Sequence, residues 1–161
     1  MTAQPTSHPA VDPDVDHLAC ARPLHLRPRY LYVVFVGGVL GTLARWSVAE
    51  WLPVRDGWPA GTLAANLAGA FCLGLLLEML LRLAPDEGWL RLARLHFGTG
   101  FLGSFTTMSA LATQTVLLAD SSRAGLALGY LAVSLLGGVL LAWAGMLTGA
   151  WLAARRMGAG A

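Results

Sequence analysis

The run Gly98-Thr-Gly-Phe-Leu-Gly-Ser-Phe-Thr-Thr-Met-Ser109 gathers three glycines and five hydroxyl side chains inside a charge-free apolar stretch that extends from Leu95 to Ala119. Hydroxyls and backbone carbonyls are oxygen ligands, and glycine loosens a helix enough to expose its carbonyls. Irregular backbone at membrane depth is tolerated only where it is buried in protein or lines a polar cavity. The chemistry to expect is therefore coordination of an ion, not covalent catalysis. A break permitted by Gly98, Gly100 and Gly103, leading into Thr106 and Thr107, would free carbonyls to hold a small cation and leave hydroxyls along a narrow path. The same stretch holds Thr113, Gln114 and Thr115. Scattered hydroxyls in a membrane helix commonly bond back to their own backbone, which accounts for several of these.

Few other polar residues fall inside apolar stretches. Asn66 is flanked by Ala64, Ala65, Ala68 and Gly69; its amide can donate to an anion or hydrogen-bond to another helix. Arg45 interrupts the stretch from about 31 to 49. A central arginine costs about 2.5–3.5 kcal/mol on insertion scales, so both a vestibule that attracts anions and anchoring at the interface remain open. Glu78 precedes Arg82 by one helical turn, the favourable order for an ion pair. His96 reads as an interfacial residue at the entrance to the span. Cys20 and Cys72 show neither a disulfide framework nor a metal-ligand spacing.

The elements that must position these groups are membrane helices. With 56% hydrophobic and 12% charged residues, the chain is far more apolar than a soluble average of about 45–50% and about 25%. Its 161 residues exclude a large soluble catalytic domain, and an enzyme is not expected. The net charge of +2 says little about partners, and nothing points to nucleic acid. Residues 1–29 carry five of the eight prolines and no apolar core of a signal peptide, so they read as a disordered N-terminal tail. Residues 30–154 read as a four-helix membrane domain and 155–161 as a short C-terminal tail. The spans fall at about 31–49, 58–81, 95–119 and 124–154, each long enough for a hydrocarbon core of about 30 Å. Trp46, Trp51, Trp58, Trp89, Tyr30 and Trp151 lie near span ends, where amphipathic rings settle.

Arginine placement orients the bundle. Arg22, Arg27, Arg29, Arg82, Arg91, Arg94, Arg155 and Arg156 fall on one side, against Arg55 and Arg123 on the other. That bias predicts a plasma-membrane protein with both termini in the cytoplasm. Gly37-x-x-x-Gly41, Gly61-x-x-x-Ala65, Ala70-x-x-x-Gly74 and Gly145-x-x-x-Gly149 allow close approach of helix backbones, within one subunit or between two. Four short spans alone rarely enclose a pore, so oligomerisation is expected.

Taken together, Gly37-Gly38-x-x-Gly41-x-x-x-Arg45, Gly61-Thr62-Leu63-x-x-Asn66-x-x-Gly69 and Gly100-Phe-Leu-Gly-Ser-Phe-Thr-Thr-Met-Ser109 resemble the Fluc (CrcB) fluoride channels, across nearly all of residues 31–152. The resemblance implies an all-α integral membrane fold whose third helix is broken at its centre. It also implies an antiparallel dimer of oppositely oriented subunits with two narrow fluoride pores. A structural Na+ at the dimer centre would be held by the backbone carbonyls of Gly103 and Thr106. Asn66 would donate to fluoride, Ser109 would belong to a polar track, and Arg45 would match the vestibule arginine.

Two departures from the family pattern stand out. Met108 and Leu111 occupy the pore positions where the family carries phenylalanines, whose electropositive ring edges can face fluoride. Ala110 follows Ser109 where a threonine is usual. With the eight-to-two arginine bias, these departures favour a heterodimer with a homologous, oppositely inserted subunit over a dual-topology homodimer. The functional expectation is a fluoride channel subunit exporting the anion passively. The alternatives are a non-conducting structural subunit of such a dimer, or a small multidrug exporter. An exporter would want a mid-membrane carboxylate, and Glu50 and Glu78 both sit near span ends.

Overall fold

The computed structural model describes residues 27–83 and 87–158 of the chain. Six α-helices and one wide-turn segment follow in order: α1 (Pro28–Trp51), α2 (Ala60–Leu83), α3 (Gly88–Ala93), a π-helical segment (Arg94–Leu102), α4 (Gly103–Phe105), α5 (Met108–Asp120) and α6 (Ala124–Gly158). Four stretches are long and apolar enough to cross a membrane: Pro28–Trp51, Ala60–Arg82, Gly88–Asp120 and Ala124–Arg155. The third is a composite, with α3, the π-helical segment, α4 and α5 strung end to end. Helices are required because a chain in hydrocarbon must satisfy its backbone internally. Of the expected tail, residues 1–26 lie outside the described residues, while Pro28 and Arg29 already belong to α1, with proline in its first turn. At the other end α6 continues to Gly158, beyond the boundary at 154 drawn from apolar length.

Turn chemistry sets where the spans stop. After α1, the left-handed residues Asp56 (φ 52°) and Gly57 (φ 83°) form a tight turn, closed by the Trp58 N–H on the Arg55 carbonyl at 2.8 Å. Pro59 sits immediately before α2, and its carbonyl accepts the first helical bond, from Leu63 at 3.2 Å. Between α5 and α6 the chain turns at Ser122, also left-handed (φ 61°). The Arg123 guanidinium donates to the Asp56 carbonyl. This ties the two loops together at the end of the bundle opposite Arg29, Arg82 and Arg155.

Small residues set the packing, and they do so within this chain. α2 lies chiefly against α6, and α1 against the π-helical segment and α4. A Cβ on Gly145 would fall on the Phe71 carbonyl, and one on Gly41 would fall on the Phe101 carbonyl. Backbones that close leave no room for a methyl group, and in lipid such contact replaces the hydrophobic drive. The Gly37/Gly41 and Gly145/Gly149 pairs are thus occupied by neighbouring helices of the same subunit. Glu78 and Arg82 pair at 2.5 Å, as their spacing implies. His96 is more than an interfacial ring: its Nδ1 donates to the Val33 carbonyl at 3.1 Å and pins α1 to the π-helical segment.

A small core gathers at the loop end around Tyr130, which is fully buried among Leu111, Leu118 and Ala127. Trp58 meets Tyr130 edge-on, with ring centroids 5.7 Å apart. It therefore packs inward, whereas Trp51, Trp89 and Trp151 are exposed.

Candidate functional site

The break in the third span comprises two extended residues, Thr106 (φ −83°, ψ 156°) and Thr107 (φ −151°, ψ 117°), between α4 and α5. It lies beyond the glycines expected to cause it. Gly103 is helical (φ −63°, ψ −28°), and neither Gly98 nor Gly100 has a positive φ. Instead, Gly98 and Gly100 belong to the π-helical segment, where Gly100 is the contact point for α1: a Cβ there would meet the Val34 carbonyl at 2.6 Å. Glycine serves close approach here, and the threonines make the break.

Side chains from two helices stabilise the irregular backbone. Thr106 closes α4 by donating both its N–H and its hydroxyl to the Leu102 carbonyl, each at 3.0 Å. The Thr107 hydroxyl opens α5 as an N-cap, accepting from the Ala110 N–H at 3.2 Å, an arrangement worth about 1 kcal/mol. Asn66, on α2, pairs with both backbone polar groups of Thr107: its Oδ1 accepts the N–H at 2.7 Å and its Nδ2 donates to the carbonyl at 3.1 Å. One turn further along α2, Gly69 leaves room for Thr106, whose methyl group a Cβ would strike. The Asn66-x-x-Gly69 spacing thus builds a seat for the break.

Two carbonyls lose their helical partners as a result. In a continuous helix the Thr107 N–H would bond to Gly103, and the Ala110 N–H to Thr106. Asn66 takes the first donor and the Thr107 hydroxyl takes the second. Gly103 and Thr106 line a common cavity of about 320 Å³ together with Asn66, Thr107, Met108 and Leu111. Freed carbonyls are hard oxygen ligands, so this donor set suits a small hard cation.

A second cavity, of about 570 Å³, is bordered by Thr42, Arg45, Trp46, Thr62, Thr107 and Ala110. Thr107 alone borders both, so the break lies between the two spaces, each lined mainly by apolar surface with a few polar groups. Among the described residues Arg45 makes no ion pair.

The family model for "CrcB-like protein, Camphor Resistance (CrcB)" matches residues 32–146, a range that contains both cavities and the break. The chain belongs to the CrcB family. Its relatives include the protein named fluoride-specific ion channel FluC 1 of Cutibacterium acnes, 48% identical over 121 residues, covering 74% of this chain and 85% of that protein. FluC 2 of Moorella thermoacetica is 46% identical over 127 residues, covering 78% and 95%. FluC 2 of Leifsonia xyli is 42% identical over 134 residues, covering 83% and 92%.

Within this CrcB chain the residues singled out from sequence divide between the two spaces. Asn66, Met108 and Leu111 border the first cavity with Gly103 and Thr106, and Arg45 borders the second. Met108 is 67% exposed on the subunit surface, whereas Leu111 is 3% exposed and packs into the Tyr130 core. Ser109 lines neither cavity; its hydroxyl lies 3.1 Å from that of Thr107.

Sequence reasoning missed a polar chain beside the break. Tyr130 donates to Gln114 Oε1 at 2.8 Å, and Gln114 Nε2 donates to the Thr62 hydroxyl at 2.9 Å. Ser134, one turn beyond Tyr130 on α6, borders the first cavity with its hydroxyl buried. The signal was legible: Tyr130-x-x-x-Ser134 places two hydroxyls on one face of an otherwise apolar helix.

Proposed function

We propose that this chain is a subunit of a fluoride channel through which the anion leaves the cytoplasm down its gradient. The reading is carried by CrcB membership with relatives named as fluoride-specific channels, joined to a third span whose break lies between two mainly apolar cavities that carry a few polar groups. Hydrogen fluoride crosses a membrane as the neutral acid and ionises inside, so a passive anion path is enough to lower cytoplasmic fluoride.

Fluoride is small and strongly hydrated, and a selective path must replace its water with close donors. Asn66 retains one N–H beyond the bond it donates to Thr107. The hydroxyls of Ser109 and Ser134 supply further donors, with Met108 and Leu111 as apolar wall and Arg45 gathering anions at the mouth. Na+ would be held by the carbonyls of Gly103 and Thr106 and would supply a fixed positive field. At about 10 Å and an effective dielectric of about 20, that field attracts an anion by about 1.7 kcal/mol, enough to favour entry without trapping it. A multidrug exporter is disfavoured: Glu78 is tied to Arg82, and the matched relatives are named as channels. The non-conducting alternative is disfavoured because the Asn66 seat and both cavities are intact.

The subunit functions in an antiparallel dimer with its own termini in the cytoplasm. A homologous partner of opposite insertion is favoured over a second copy. Eight arginines against two oppose dual insertion, and the exposed Met108 beside the cavity suits a wall completed by another chain. Liposomes containing the protein with its partner should release fluoride rapidly and chloride hardly at all. Fluoride release no faster than from empty liposomes, for the single protein and for the pair, would refute the channel.

A further inference from the structure

We propose that Asn66 is a positioning residue for the cation site: by pairing with the Thr107 peptide it releases the Gly103 carbonyl for the ion. The proposal rests on the reading that Gly103 and Thr106 hold Na+, and it adds what makes those carbonyls available. A carbonyl in the middle of a helix has its lone pair engaged by an N–H four residues on, and that bond must be undone before it can serve a cation. Here it is undone from a distance. Asn66 stands 41 residues before Thr107 in sequence, yet its Oδ1 holds the Thr107 N–H at 2.7 Å. The Thr106 N–H, which a tighter turn would offer to Gly103, is committed to Leu102 at 3.0 Å. The second carbonyl is freed by the same device one step later, where the Thr107 hydroxyl takes the Ala110 N–H from Thr106.

This arrangement makes break and cation mutually dependent. Without a cation, the carbonyls that the break takes out of the helical ladder have no i+4 N–H to accept from. Without Asn66, the Thr107 N–H is free to return to Gly103 and the helix to continue. Asn66 therefore acts on the cation site through its acceptor oxygen, while its remaining N–H is available to the permeating anion. One side chain thereby couples the two ions.

The experiment uses the full chain, with its partner where one co-purifies, in detergent and without fluoride. Sodium is titrated against choline at constant chloride, and the thermal unfolding midpoint reports binding, since a ligand of the native state raises it. The wild-type midpoint should rise with sodium and saturate. In Asn66→Ala and in Thr107→Val the half-saturating sodium should increase about 10–100-fold, the usual cost of losing a group that orients a metal ligand. Asn66→Asp keeps an acceptor for the Thr107 N–H but loses the donor to the Thr107 carbonyl, so sodium affinity should stay within about tenfold of wild type, while fluoride flux is abolished because the donor is gone. Thr115→Ala, which removes only a hydroxyl bonded to the Leu111 carbonyl, should leave sodium binding unchanged.

A flat wild-type response would refute the cation site itself. A wild-type response retained unchanged in Asn66→Ala and Thr107→Val would overturn the positioning role and leave the cation site standing. If Asn66→Ala fails to assemble, as judged by size exclusion, Thr107→Val and Asn66→Asp decide. Asn66→Asp binding sodium more than about tenfold more weakly than wild type would likewise overturn the proposal.

Discussion

Replacing Tyr130 with phenylalanine isolates a single hydrogen bond at the heart of the subunit. Tyr130 is fully buried, and its ring meets Trp58 edge-on at 5.7 Å, so Tyr130→Phe keeps the apolar packing and removes only the hydroxyl. What is lost is the 2.8 Å bond to Gln114 Oε1. A net hydrogen bond is worth about 0.5–1.5 kcal/mol, and an acceptor left buried without a partner costs about 1–3 kcal/mol. Bonds between membrane helices average only about 0.6 kcal/mol, with a maximum of about 1.7, because the unfolded chain in lipid also finds partners. The second limit governs here, and the expected destabilisation is about 1 kcal/mol. Gln114 would also lose the anchor on one side of its amide while keeping Thr62 on the other at 2.9 Å. Fluoride flux through a path bordered by Thr62 should then fall by no more than about tenfold, the equivalent of 1.4 kcal/mol in a barrier, with exclusion of chloride preserved. The assay is a double-mutant cycle of Tyr130→Phe and Thr62→Val, read by reversible unfolding in mixed micelles and by fluoride efflux. Because both bonds share one amide, the two changes should couple by about 0.5 kcal/mol or more. Strict additivity, with stability and flux of Tyr130→Phe unchanged, would refute the idea that the Tyr130–Gln114–Thr62 chain acts as a unit.

Two further outcomes follow from packing and orientation. Gly145→Ala places a methyl group on the Phe71 carbonyl; pushing α2 from α6 should cost about 1–3 kcal/mol, seen as a lower unfolding midpoint, and an unaltered midpoint would show that this contact is not tight. A cysteine introduced in the 120–123 loop, after removal of Cys20 and Cys72, should react in intact cells with a membrane-impermeant thiol reagent supplied outside. Labelling of that residue from both sides of the membrane, together with full fluoride resistance from this gene alone, would establish a dual-topology homodimer and refute the heterodimer.

Much of this protein could be read from residue type alone, because lipid permits few solutions. Apolar stretches of membrane length, bounded by arginine and proline, become helices wherever they lie, since no other local structure satisfies the backbone there. The four spans, the Glu78–Arg82 pair and the interruption of the third span near its threonines all follow from sequence-local rules. Neighbours distant in sequence decided the rest. The glycines of the third span suggested the break, yet Gly98 and Gly100 remain within helical turns because α1 packs onto that backbone through Gly37 and Gly41. The extended residues fall at Thr106 and Thr107, where an amide on another helix competes for the Thr107 N–H. Leu111 falls at a pore position by family resemblance, and it is buried because α6 brings Tyr130 against it. Local propensity says where a helix is weak; which hydrogen bond is surrendered depends on a donor or acceptor delivered by the tertiary fold.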